Sequence, residues 1–119
     1  MTTAHRDLPL DALFHPFAQG LLRWPADGRA LFLRAREGAA VFASGVRGFD
    51  WTQPFKPEAD RLQRLAGDAL DEDALPARAY PLVLVLPPRQ REEARALLAR
   101  ACAAVAPGGI VIAAVANDE

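Results

Sequence analysis

Two short, wholly apolar runs near the C-terminus constrain this 119-residue chain more than any other feature: Leu82-Val83-Leu84-Val85-Leu86 and Ile110-Val111-Ile112-Ala113-Ala114-Val115. Each is too short for a buried helix and rich in the branched side chains that suit a central parallel strand. Pro87-Pro88 stops the first run, and Pro107-Gly108-Gly109 introduces the second. Between them, from Gln90 to Val105, Ala94, Leu97, Leu98, Ala101 and Val105 recur at helical spacing. Glu92 and Glu93 lie in the first turn, where negative charge suits the helix dipole. Strand, helix and strand in that order cross over into a parallel pair. Strands that are apolar throughout need cover on both faces, so the expectation is an α/β domain with a mostly parallel sheet between helical layers.

The upstream chain supplies shorter elements. Leu10, Leu13, Phe14 and Phe17 fall on one helical face, and Pro16 predicts a broken helix ending near Gly20. After the turn Pro25-Ala26-Asp27-Gly28, the run Ala30-Leu31-Phe32-Leu33 reads as a doubly buried strand, and Ala40-Val41-Phe42-Ala43 as a second. Phe49, Trp51 and Phe55 alternate with smaller or polar residues, as in a half-exposed extended segment. A helix resumes at Pro57 and ends before Gly67, with Leu62, Leu65, Ala66 and Ala69 as its buried face. The run Asp68 to Asp73 holds four acids and reads as a solvated connection, since it lacks a calcium loop's spacing.

At this length the chain is one domain, residues 1–119. Hydrophobic residues make up 51% and charged residues 24%, so it is apolar enough to fold. A net charge of -1 gives no overall positive field for nucleic acid without a local patch. Cys102 is the single cysteine, which leaves no internal disulfide and fits a reducing, cytoplasmic setting; no Cys/His cluster has metal-ligand spacing. Neither a signal peptide nor a membrane span is legible. Ser44 lies in no nucleophile pattern, and His5 and His15 read as ordinary surface or helix residues. Cys102 reads as a small side chain near the buried face of its helix. Trp24, Trp51 and Tyr80 read as packing residues.

The order Leu82 to Pro88, a helix, then Ala106-Pro107-Gly108-Gly109-Ile110-Val111-Ile112 resembles the second half of class I S-adenosylmethionine-dependent methyltransferases. In those enzymes the fourth strand ends in a Pro-Pro turn and Pro-Gly-Gly introduces the fifth. Pro88-Arg89-Gln90-Arg91-Glu92-Glu93-Ala94, followed by Leu97-Leu98, is similar to the N-terminal domain of the small-subunit (16S) ribosomal RNA guanine-N2 methyltransferase C family. Phe55-Lys56-Pro57-Glu58-Ala59 and Leu31-Phe32-Leu33-Arg34-Ala35 add to the likeness, which spans roughly residues 8 to 119. The resemblance implies a three-layer Rossmann-like domain of degenerate methyltransferase topology, cut from a longer two-domain chain. In that family the C-terminal domain holds S-adenosylmethionine and the chemistry. The implied partners are that catalytic domain and small-subunit rRNA.

The residues bear on that division. A methyl donor needs a glycine-rich turn straight after the first strand, and Arg34-Ala35-Arg36-Glu37 stands there instead. Gly45-Val46-Arg47-Gly48 is the nearest substitute, but it lacks a third glycine and runs into Phe49-Asp50-Trp51 and not into a helix. Amino-group methyltransferases place Asn or Asp before the Pro-Pro turn, where its oxygen accepts from the target amine. Here Leu86 offers no acceptor, and Arg89 replaces the usual aromatic stacker. No catalytic, cofactor-binding or metal residue is therefore assigned to this segment. Arg89, Arg91 and Arg95 gather at a predicted helix start, where positive charge opposes the dipole, and form a candidate contact for rRNA phosphate or for the catalytic domain. The reading is thus a non-catalytic accessory domain, serving rRNA recognition or folding support. Its competitors are a small self-sufficient methyltransferase with a cofactor loop rebuilt around Gly45 to Gly48, and a protein-interaction module.

Overall fold

A computed structural model describes residues 7–42, 46 and 48–115. The element order is α1 (Leu8–Ala18), β1 (Ala30–Leu33), a 3-10 turn (Ala39–Phe42), β2 (Asp50–Trp51), α2 (Lys56–Ala66), a second 3-10 turn (Glu72–Ala74), β3 (Tyr80–Val85), α3 (Arg91–Ala104) and β4 (Val105–Ala113). The four strands form one sheet in the order β2-β1-β3-β4, and every neighbouring pair is parallel. The expected α/β class, with a parallel sheet, is what the chain adopts.

Alternation along the strands sorts the core into two layers. Ala30, Phe32, Leu82 and Leu84 face one way and pack with Leu10, Leu13, Phe14 and Phe17 of α1 and Leu62 of α2. Leu31, Leu33, Val83 and Val85 face the other way and meet Leu97, Ala101 and Ala104 of α3. An aromatic cluster thickens the first layer, with Phe14 stacked on Trp24 at 5.7 Å and edge-on to Phe32 at 5.6 Å. The β1-to-β2 connection carries Val41 through the α1 layer. The return to β3 carries Leu70 and Leu75 through the α3 layer. Leu62 of α2, on the same return, packs instead in the α1 layer. Trp24, Trp51 and Tyr80 are all buried, as packing residues should be. Tyr80 donates its hydroxyl to Asp50 at 2.6 Å, and burial, reinforced by the Asp50 charge, pushes its phenol above the usual range.

Several elements differ from the sequence reading. Residues 40–42 do not form a strand, and Ala43 lies outside the described residues: the Val41 amide donates to the Gly38 carbonyl at 3.1 Å, and Val41 joins the buried cluster that holds Leu10. The β1 edge is taken instead by Asp50–Trp51, in the register Leu31 with Asp50 and Phe32 with Trp51. Trp51 is almost fully buried and its indole nitrogen donates to the Ala66 carbonyl, contacts that hold this segment on the β1 edge. Helix α1 is unbroken across Pro16. That proline deprives one carbonyl near the helix end of a donor, while Leu10, Leu13, Phe14 and Phe17 bury the whole apolar face. In α2 only Leu62 is buried; Leu65 is half exposed, and Ala69 lies beyond the helix and is exposed. Cys102 is exposed and does not lie on the buried face of α3.

Helix α3 runs directly into β4, before the glycines and not after them. The amides of Arg78 and Ala79 donate to the carbonyls of Ala103 and Ala104, both at 2.8 Å, so neighbouring backbone satisfies the helix end without a glycine cap. Four residues, Ala106 to Gly109, then stand opposite the single Pro81 in a bulge before the regular register from Leu82 with Ile110 to Val85 with Ala113. No helix among the described residues is long and apolar enough to cross a membrane.

Candidate functional site

Strands β1 and β3 are neighbours, and the chain leaves their C-terminal ends in opposite directions along the sheet. That divergence opens a crevice at the ends of the strands, the usual ligand position in open parallel sheets. The ladder continues into it, with the Leu86 amide on the Leu33 carbonyl and the Ala114 amide on the Val85 carbonyl, both at 3.2 Å. A cleft of about 410 Å³ lies there, between Pro9, Arg36, Leu86, Pro87, Arg89 and Val115. A second, of about 500 Å³, is lined among the described residues by glycine and apolar side chains such as Val41, Phe49, Leu62 and Leu65, none of them an acid, base or nucleophile.

Charged side chains follow β1 directly, and of these Arg36 lines the cleft. Arg34 adopts the left-handed backbone region, φ 60°, which a non-glycine residue holds only when its surroundings fix it. Its guanidinium donates twice to Glu72, at 2.8 and 3.2 Å, and once to Glu93 in the first turn of α3, at 2.8 Å. Thr52, also buried, donates its hydroxyl to Glu72 at 2.6 Å and accepts the Arg34 amide at 3.2 Å. Both Arg34 and Glu72 side chains are about one-sixth exposed, 16% and 15%. Burial pushes the Glu72 carboxyl up, but hydrogen bonds from Arg34 and Thr52 and the guanidinium charge outweigh it and hold the group below the usual carboxylate range.

Two residues on, Arg36 makes a paired contact with Asp7, at 2.6 and 2.8 Å. Asp7 caps α1 by accepting the Leu10 amide at 3.2 Å. The Arg36 hydrogen bonds, helped by the Leu10 amide and opposed by burial, hold Asp7 below its ordinary value. Between the arginines, Ala35 is fully buried; its amide donates to the Thr52 carbonyl and its carbonyl accepts from the Gln53 side chain, both at 2.9 Å.

No family model, curated protein or solved structure matches this chain. The assessment of the site therefore rests on its own geometry. Leu86 is buried in the α1-side core and presents no acceptor to the cleft. Arg89 lies on the cleft rim, just before Gln90, whose side chain caps α3 at the Glu93 amide. Arg91 and Arg95 stand one turn apart on exposed helix surface, so all three arginines are accessible at the start of α3. His15 is exposed. His5, Ser44, Gly45 and Arg47 lie outside the described residues, and with them most of the Gly45 to Gly48 loop. Among the described residues no cluster of acids, histidines and cysteine could hold a metal ion.

The charged residues at the β1 exit are thus Arg34 and Arg36, paired with Glu72 and Asp7. The sequence reading used the first two only as a missing glycine turn, and placed Glu72 in a solvated acidic run. The available signal was the pair of arginines, spaced by one residue, straight after a fully apolar strand. Their partners are 38 and 29 residues away in sequence, beyond any local pattern.

Proposed function

We propose that this chain is a non-catalytic accessory domain of Rossmann-like, degenerate methyltransferase topology, the N-terminal part of an S-adenosylmethionine-dependent rRNA guanine-N2 methyltransferase. The parallel order β2-β1-β3-β4, the Pro-Pro turn leaving β3 and the Pro-Gly-Gly bulge in β4 support the methyltransferase likeness. One observation supports the non-catalytic half of the reading: directly after β1, where the likeness would put a glycine cradle, Arg34 is forked to Glu72 and Glu93. S-adenosylmethionine does not fit that arrangement. The β1 exit bears a buried ion pair in place of a glycine cradle, and Leu86 cannot orient an amine. The methyl donor and the chemistry then belong to a second, catalytic domain.

The accessory role centres on the start of α3, where Arg89, Arg91 and Arg95 are placed to meet rRNA phosphate or an acidic face of the catalytic domain. Incubating this chain with S-adenosylmethionine and small-subunit rRNA should give no methyl transfer; transfer above background would refute the reading. Replacing the three arginines by Ala in the two-domain enzyme then separates its branches. Weakened rRNA binding would assign recognition, whereas unchanged rRNA binding with a less stable enzyme would assign folding support.

A further inference from the structure

We infer that the segment Arg34-Ala35-Arg36 is a conformational clamp that couples the first turns of α1 and α3, helices on opposite faces of the sheet. Strand alternation would send Arg34 to the same side as Phe32, toward α1. The left-handed backbone at Arg34 sends it instead to Glu72 and to Glu93 on α3, while Arg36 reaches Asp7, the cap of α1. One short loop thereby holds the N-terminal turns of both helical layers. Ala35 is its fulcrum, pinned on both sides by Thr52 and Gln53. The strained φ persists because these partners over-determine it, so releasing the Arg34 fork lets the backbone relax and carries Arg36 out of register with Asp7. By linkage, releasing Asp7 must loosen Glu93 to the same extent.

The test is amide and guanidinium hydrogen exchange by NMR on the whole chain, in Arg34→Lys and Asp7→Asn. Lys keeps the charge of Arg34 but cannot fork to Glu72 and Glu93. The Asn keeps a capping oxygen for Leu10 but loses the carboxylate that Arg36 grips. In Arg34→Lys the Leu10 amide and the Arg36 Nε proton should exchange at least about threefold faster, together with Glu93. In Asp7→Asn the Glu93 amide should accelerate by a comparable factor, with Phe32 and Leu84 in the central strands unchanged in both. Acceleration confined to α3 in the first variant and to α1 in the second would overturn the clamp. If Arg34→Lys also loosens Phe32 and Leu84, the Asp7→Asn result decides alone: faster Glu93 exchange supports the coupling, and an unchanged rate refutes it.

Discussion

Arg34 and Arg36 look alike in the sequence, yet burial sets them apart. Arg34 and Glu72 are mostly withdrawn from solvent, and removing the guanidinium would leave a carboxylate with the Thr52 hydroxyl and the more distant charge of Arg100 in a poorly hydrated place. Arg36 and Asp7 are about a third exposed, so water can replace what is lost. Arg34→Ala should therefore cost about 2 kcal/mol and Arg36→Ala under about 1 kcal/mol, read from urea midpoints at neutral pH. Equal losses would show that burial does not govern the two pairs. The pH dependence follows from Asp7 and Glu72, both held below their ordinary values. As acidity rises, the unfolded chain takes up protons first, so stability is full above the ordinary carboxylate range and is lost as pH falls through the folded values. Between about pH 5 and pH 3 the wild-type midpoint should drop more steeply than that of Arg34→Ala, which has already lost the Glu72 contribution.

At the scale of elements, β4 shows why a glycine pair reads ambiguously. A Cβ on Gly109 would lie 2.7 Å from a methyl of Val105 and 2.9 Å from the carbonyl oxygens of Ala106 and Pro81. Gly108 has open space around it but holds φ 78°. Gly109→Ala should cost about 2 kcal/mol through overpacking against backbone, and Gly108→Ala about 1 kcal/mol through conformational strain alone. Thermal unfolding of the two variants checks the order; a reversed order would contradict the bulge geometry. Local signals were enough for β1, β3, α3 and the buried face of α1, because their apolar periodicity coincides with what the core buries. They failed at residues 40–42 and at β2, where two short apolar stretches compete for one sheet edge. Trp51 wins through a contact with Ala66, fifteen residues away. Helix α2 is attached through Leu62 alone among its fully buried residues, so Leu62→Ala should cost about 3 kcal/mol. That variant should free the amides of α2 before those of β3; simultaneous exchange would contradict a single anchor.

For the molecule as a whole, the sheet order creates a crevice and the chain sets its own ion pairs at the β1 exit. The sequence already told of the missing glycine turn and of Leu86 before the prolines, and so of a site without the usual donor cradle. It could not tell what replaced the cradle, since Arg34, Thr52, Glu72 and Glu93 come from four separate segments that only the folded sheet brings together. The central claim is that the ion-paired β1 exit excludes the methyl donor, and the most direct measurement is an NMR titration of this chain with S-adenosylmethionine up to millimolar concentration. The account predicts no saturable shift at the amides of Leu33 to Arg36, Thr52 or Leu86. Saturable shifts at those residues with a micromolar dissociation constant, accompanied by release of the Arg34 side chain from Glu72, would contradict it.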